Sequence, residues 1–438
     1  EEMVVPATVF ATEKGVGDVQ VTIACSGNME VVGEKSHMLH FETVSDKLAQ
    51  FRIRVKDTPG AGHVKITATG GGEKSVYETD IEIRSVRRPQ IKVTPVTLEA
   101  GKSWKGTVGL PGVEGTNSLV LEMSDVQPVN LSTRLSYLLG YPHGCVEQIT
   151  SKAFPQLYLS GVASLTREQE QSTEATVKEV IRRLRSYQTV DGSFSYWPGG
   201  TAPNAWGTVY AIHFLLEAEK KGYLVPEGMK RNALNDLSRI ARNWKPEASY
   251  SAESEEMTQA YRLFVLALGQ VAEVGAMNRL KESKTLMSMS RYLLAAGYAL
   301  VGRPDVSKEL VVKTTALTTA CSGYDQTFGS DLRDTSIRLM TFCLLGDGKE
   351  AALLANEISK TLASDDWLST QSTAFGLVAL SDYMEKYKVS GLMDFSYAVD
   401  GKTKKVSTTR NIWTETLLDK AASSASLELK NTGKSTLF

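Results

Sequence analysis

The sequence predicts a multidomain protein with α and β parts: an N-terminal antiparallel β-sandwich, then a second β-domain split by an inserted α/α toroid. Three observations predict it. Apolar residues alternate with period two over the first 88 residues and again after about residue 389. Between about residues 128 and 388 they recur with helical spacing. Neither β stretch flanking the helical part holds enough strands for an independent sheet, so each is expected to find partners in the other. The expected boundaries are therefore 1–88, 89–127, 128–388 and 389–438.

The first segment carries the alternating sets Val19/Val21/Ile23/Cys25, Phe51/Ile53/Val55, Val64/Ile66/Ala68 and Tyr77/Thr79/Ile81/Ile83. Period two puts each set on one face of a half-buried strand. Gly60-Ala61-Gly62 and Gly70-Gly71-Gly72 supply turns, and Arg87-Arg88-Pro89 reads as a boundary. Strand patterns follow over 91–98, 104–110 and 118–123. After Ser390, Phe395/Tyr397/Val399 alternate into Asp400-Gly401, a hairpin signal, and Ile412 and Leu427-Glu428-Leu429 follow.

From Asn130, a candidate N-cap, Leu131, Leu135, Leu138 and Leu139 take helical spacing. Helical segments then recur near 148–159, 177–184, 206–218, 234–240, 257–271, 288–299, 305–317, 333–345, 349–362 and 370–387. A weak repeat accompanies them: Gln188 to Trp197 precedes a helix with Trp206, Asp366-Trp367 opens one with Gln371 and Phe375, and a third carries Gln259 and Tyr261. Repeated helical hairpins with aromatic-rich loops predict concentric inner and outer rings.

Of 438 residues, 42% are apolar and 23% charged, and 49 basic against 50 acidic side chains give 49 − 50 = −1. Near neutrality argues against a nucleic-acid partner and against adhesion to acidic membranes. The longest weakly polar run, Tyr292 to Gly302, is shorter than the ~20 residues of a membrane span, so no transmembrane segment is expected. Glu1-Glu2-Met3 leads straight into a strand pattern without a signal peptide, which reads as a segment excised from something longer. Cys25, Cys145, Cys321 and Cys343 are too few for a disulfide scaffold and fit no metal spacing; neither metal nor cofactor is expected. A Cys321–Cys343 disulfide stays open, because spacing does not decide it.

The informative string is Tyr141-Pro142-His143-Gly144-Cys145-Val146-Glu147-Gln148, continuing to Phe154-Pro155-Gln156-Leu157-Tyr158. Three residues apart, the Cys145 and Gln148 side chains can meet across one turn. A thiolate facing a carboxamide carbonyl can attack it, and if ammonia leaves, the product is an internal thioester. That bond is a stored electrophile: an amine or hydroxyl that reaches it is acylated by the former Gln148 side chain and the Cys145 thiol is released. The spacing alone is unspecific, since four Cys and 13 Gln give such a pair by chance about once in eight sequences of this composition.

The surroundings add specificity. The string resembles the thioester motif of the α2-macroglobulin and complement family, whose core reads Gly-Cys-Gly/Val/Leu-Glu-Gln. It is most similar to the bacterial branch, where Tyr-Pro-aromatic precedes Gly-Cys and Phe-Pro-x-Leu-Tyr/Trp follows. Val146 stands where the vertebrate pattern has Gly. Gln188 to Trp206, Phe328 to Asp334 and Trp367 to Gln371 resemble inter-helix segments of the same family's thioester domain.

The resemblance covers essentially the whole chain. It implies a macroglobulin-like sandwich followed by a CUB-like β-domain split by the thioester toroid. It implies that Cys145 and Gln148 form the thioester pair, with Gly144 permitting a tight backbone turn; Glu147 is a candidate support for the amide or, equally, a solvated acid at the helix start. Tyr141, Phe154, Tyr158, Tyr196, Trp197 and Trp206 could shield the bond, although core packing between helices is the better account of most of them. Some relatives use a downstream histidine to favour hydroxyl acceptors. Only His213 of the five histidines lies downstream, and its setting is that of a helix-packing residue. Direct attack by lysine amines is therefore expected.

By this resemblance the chain is part of a broad-spectrum endopeptidase inhibitor, a protease trap rather than an enzyme. Its partners would be target proteases and the other domains of the full-length protein. Its location would be the periplasm or cell envelope, with a lipidated N-terminus outside this segment. Two alternatives stand beside it. Terpene cyclases and prenyltransferases share α/α toroids, and Gln188 to Phe194 resembles a cyclase loop. They need an Asp-rich motif, for which Asp365-Asp366 is the nearest candidate, or an Asp/Cys/His zinc site. Thioester adhesins attach to surfaces through the same chemistry.

Overall fold

The computed structural model describes residues 2–56, 60–83, 92–112, 115–126, 129–141, 143–246, 252–284, 286–312, 327–364, 366–387, 392–421 and 423–438. Two compact units result, one made of Glu1–Lys92, Gly109–Ser118 and Leu418–Ser424, the other of Val93–Val108, Leu119–Leu417 and Ala425–Phe438. The Arg87-Arg88-Pro89 boundary and Cys321 lie outside the described residues.

The first unit contains β1 (Glu2–Ala11), β2 (Gly17–Gly27), β3 (Met29–Val32), β4 (Ser36–Phe41), β5 (Ser45–Val55), β6 (Gly60–Gly70) and β7 (Glu73–Ile83). They form two antiparallel sheets, β1-β5-β3 and β4-β2-β6-β7, over one core of Val19, Val21, Ile23, Phe41, Phe51, Ile53 and Val64. Alternation sets the register: Val21 lies opposite Ala68 and Ile23 opposite Ile66. Tyr77 does not share a half-buried face, because β7 is an edge strand and leaves it 66% exposed.

In the second unit, β8 (Ser103–Gly109) and β9 (Asn117–Ser124) precede the helices, β10 (Ala163–Ser164) lies among them, and β11 (Met393–Val399), β12 (Lys402–Thr408), β13 (Ile412–Ala421) and β14 (Ser424–Asn431) follow. The sheets run β12-β11-β14-β8 and β10-β13-β9, so strands from both sides of the helical part pair with each other. Leu98 and Leu437 exchange two backbone hydrogen bonds of 2.8 Å. Leu121, Met123, Phe395, Tyr397, Trp413 and Leu429 share a core. Asp400 and Gly401 both take positive φ, 47° and 84°, as a primed hairpin turn needs. The strand expected over 91–98 is absent among its described residues except for the bridge at Leu98; Val93 is 38% exposed, and the segment reaches a sheet only at its end.

The helices are α1 (Leu131–Gly140), α2 (Val146–Ala153), α3 (Leu159–Val162), α4 (Arg167–Leu184), α5 (Ala205–Lys220), α6 (Glu227–Asn243), α7 (Ala252–Leu268), α8 (Val274–Lys281), α9 (Ser288–Leu300), α10 (Pro304–Val312), α11 (Asp331–Leu345), α12 (Gly348–Ala363) and α13 (Thr370–Tyr387). Helices α2, α5, α7, α9, α11 and α13 pack one against the next, and α13 closes against α2. Helices α4, α6, α8, α10 and α12 lie against successive members of this ring. Burial explains the two layers. Inner α5 is buried without a break from Trp206 to Leu215, whereas outer α4 buries only Val177, Val180, Ile181 and Leu184, one face of an amphipathic helix. Helix α8 escaped the periodic reading because its eight residues bury only Ala276, Met277 and Leu280.

Asn130 does not cap α1 with its side chain. It adopts a left-handed conformation, φ 51°, and the carboxylate of Glu122 takes over, accepting from the Leu131 N–H at 2.7 Å and the Val129 N–H at 3.4 Å. Glu122→Ala is expected to cost about 1 kcal/mol, the usual size of a lost cap, read as a lower denaturant midpoint. An unchanged midpoint would show that water serves those N–H groups equally well.

Candidate functional site

The site is built on the first turn of α2. Cys145 is its N-cap residue, and its sulfur accepts from the backbone N–H of Gln148. Gln148 Oε1 accepts in return from the Cys145 backbone N–H at 3.1 Å. This is a capping box with sulfur in the place of a Ser or Thr hydroxyl, and it holds the thiol and the carboxamide over the same turn. Cys145 is 0% exposed. Burial is the main cause that pushes its thiol pKa up, opposed by hydrogen bonds from the Tyr196 hydroxyl and the Gln148 N–H.

The flanking residues are pinned from several elements. The Val146 N–H donates to the Tyr196 carbonyl at 3.0 Å, and the Tyr187 hydroxyl donates to the Gly144 carbonyl. Gly144 does not take positive φ, so a left-handed turn is not the reason for glycine here. A Cβ at this position would lie 2.8 Å from an Arg183 guanidinium nitrogen, so close approach is the constraint.

Glu147 is buried, not a solvated helix-start acid. Its carboxylate accepts from Ser151 Oγ at 2.6 Å and from Thr370 Oγ1 at 2.9 and 3.0 Å, and Ser151 Oγ also lies 3.1 Å from the Tyr210 hydroxyl. Burial raises its pKa against those hydrogen bonds. Glu147 therefore ties α2 to the start of α13, and these bonds engage its carboxylate away from the Gln148 amide. Thr370 and Ser151 were not singled out in the sequence. Ser151, one helical turn beyond Glu147, was within reach of a spacing argument; Thr370 was not.

The other expected segments converge on the same end of the ring. Trp206 Nε1 donates to the Gln371 carboxamide at 2.8 Å, and the same amide donates to the Thr327 carbonyl at 3.0 Å. Fully buried Arg333 pairs with Asp334 at 2.6 Å and lies 5.2 Å over the Trp206 ring. The aromatics divide. Phe154 packs against Tyr210, His213 and Phe214, Tyr158 donates to Glu217 at 2.8 Å, and Trp206 packs against Tyr261, all in the ring interior. Tyr196 stands at the sulfur, Trp197 is 53% exposed beside it, and Tyr141 packs edge-on against Tyr137 and His143. His213 bonds the Tyr261 hydroxyl at 2.8 Å and lies among Phe154 and Phe264, a packing role.

The Gln188 amide donates to the carbonyls of Gly192 and Met229, so this loop is stitched to itself and to α6. Asp365 lies outside the described residues. Among the described residues no group of three His, Cys, Asp or Glu could hold a metal ion, and no helix is long and apolar enough to cross a membrane. The described cysteines Cys25, Cys145 and Cys343 are free thiols.

Residues 118–258 match the family described as A-macroglobulin TED domain. The chain is 27% identical over 383 residues to α2-macroglobulin of Escherichia coli K12, covering 81% of this chain and 23% of that protein. Its fold is similar to a crystal structure of native E. coli α2-macroglobulin running from domain MG7 to the C-terminus, at TM-score 0.69 and 20% identity, over 99% of this chain and 73% of that one. It is also similar to Salmonella α2-macroglobulin reacted with methylamine, at TM-score 0.68 and 22% identity, over 99% of this chain and 30% of that one. The match defines a helical domain of the TED class. The chain is similar to α2-macroglobulin over most of its length and spans about a quarter of the length of the curated relative it matches.

His213 makes the interior testable by pH. Burial lowers its pKa to about 4, below the ~6.5 of an unfolded histidine. Between those values the unfolded chain binds a proton that the folded chain refuses, so stability falls as pH drops from 6.5 towards 4, by roughly 3 kcal/mol. Urea midpoints over this range should fall in the parent and fall less in His213→Gln. Equal slopes would contradict this placement of His213.

Proposed function

We propose that Cys145 and Gln148 condense into an internal thioester, and that the chain is the C-terminal region of a bacterial protease trap that tethers attacking proteases through their lysine amines. The reciprocal cap carries the reading: the sulfur and the carboxamide share one turn, inside a domain of the TED class. Closure joins Cys145 Sγ to Gln148 Cδ and expels ammonia; opening by an amine forms an amide and frees the thiol. Burial of Cys145 supports a bond kept from water until an acceptor reaches it. With His213 held in the ring interior and His143 exposed on a loop, no histidine intermediary is invoked, and amines are the favoured acceptors.

On this reading residues 1–88 form a macroglobulin-like sandwich. Residues 89–127 and 389–438 are the two parts of a CUB-like domain, and 128–388 are the thioester toroid. Glu147 supports the site by anchoring α2. The protein acts as a single-use inhibitor rather than a turnover enzyme, in the periplasm or cell envelope, anchored through a lipidated N-terminus that belongs to the longer protein. Bait cleavage and rearrangement would be supplied by its other domains, releasing stored strain.

Intact mass tests the bond. The closed chain should be about 17 Da lighter than free Cys plus Gln, through loss of ammonia. Methylamine should remove that deficit and release one thiol, and Cys145→Ala should do neither. Methylamine uptake that persists in Cys145→Ala would refute the assignment.

A further inference from the structure

Opening of the thioester requires a group that receives the departing sulfur. When an amine opens the thioester, its nitrogen bonds to Gln148 Cδ, the Cδ–Sγ bond breaks, and the electron pair leaves on sulfur. An amine proton ends on that sulfur, so an amide and a thiol are formed and charge balances. The sulfur sits at 0% exposure, where bulk water cannot solvate a developing thiolate. Donors must come from the protein.

We infer that the Tyr196 hydroxyl is the side-chain donor to the leaving sulfur, a catalytic residue for thioester opening whose ring also closes the site against water. The inference rests on the thioester reading. The Tyr196 hydroxyl lies beside the Cys145 sulfur, where it lowers the thiol pKa against burial. Its carbonyl accepts from Val146 N–H at 3.0 Å, so Tyr196 is fixed to the same turn that carries the sulfur. Its ring stacks on Phe328, with centroids 6.4 Å apart and 9° between planes, and meets Trp197 edge-on at 5.3 Å. Phe328 holds a left-handed backbone, φ 54°, to take that place. The loop is locked behind it: the Ser195 N–H donates to the Tyr187 carbonyl at 2.8 Å, and Ser195 Oγ bonds the Tyr187 and Trp197 carbonyls.

The neighbouring groups are otherwise engaged. Tyr187 donates to the Gly144 carbonyl, and His143 is exposed against Tyr141. Arg183 donates to the Tyr187 hydroxyl at 3.5 Å. Glu147 is held by Ser151 and Thr370, and its charge disfavours a thiolate. The backbone N–H groups of Glu147 and Gln148 at the helix N-terminus complete the set around the sulfur. Burial raises the Tyr196 pKa, so its hydroxyl keeps its proton and donates without being spent. Tyr196 thus acts on sulfur as an oxyanion-hole donor acts on oxygen.

The test compares the full chain with Tyr196→Phe and Tyr196→Ala. Intact mass reports closure, thiol titration reports the rates of hydrolysis and of opening by methylamine, and iodoacetamide alkylation against pH reports the midpoint of the opened Cys145 thiol. Tyr196→Phe keeps the ring. It should be opened by methylamine about ten- to a hundredfold more slowly, with hydrolysis, which expels the same sulfur, slowed alongside, and with its alkylation midpoint raised by about one pH unit. Tyr196→Ala loses the ring as well and should hydrolyse faster than Tyr196→Phe. A parental opening rate, or an unmoved midpoint, overturns the inference; the midpoint can be read even in a variant that never closes. A parent chain with neither the mass deficit nor the methylamine-released thiol would instead refute the thioester reading itself.

Discussion

The first turn of α2 is the constraint on which the site depends. A helix must satisfy its first N–H groups, and here Cys145 and Gln148 do so for each other. A cap normally contributes only to stability. With sulfur as one acceptor and a carboxamide oxygen as the other, the same geometry holds a nucleophile beside an acyl group. On the proposed reading the local chemistry grows out of helix capping, and burial keeps water from it.

The ring makes that burial possible. Closure of α13 on α2 brings Thr370 to Glu147 across 223 residues of sequence. The same end of the ring gathers Trp206, Gln371, Thr327 and Arg333 into one polar network. A carboxylate and a guanidinium are costly to bury unless every donor and acceptor is matched. These partners come from α2, α5, α11 and α13 together, so the network holds only when the ring is closed. The strands on either side add a second long-range constraint, since β8 and β9 complete their sheets only with β14 and β13.

Much of this was legible from residue types. Val19, Val21 and Ile23 announced β2 because a half-buried strand alternates. Asp400-Gly401 announced a hairpin because few residue pairs accept two positive φ angles. That the Cys145 and Gln148 side chains share a turn was legible because residues three apart meet across one helical turn. What was hidden depended on tertiary contacts. Glu122 displaced Asn130 as the cap of α1 from an earlier strand. Strand β7 exposed Tyr77 because sheet order, not alternation, decides which strand is at the edge. The Tyr196 hydroxyl reaches the sulfur only because its loop folds back on α2, and the close approach at Gly144 depends on Arg183 of α4.

The proposed covalent bond between Cys145 and Gln148 is read by a high-resolution crystal structure of the full chain. The account predicts Cys145 Sγ within bonding distance of Gln148 Cδ, with continuous density between them and none for the Gln148 amide nitrogen. Density that directs the sulfur and the carboxamide to opposite sides of the α2 turn, each partnered elsewhere, would contradict it.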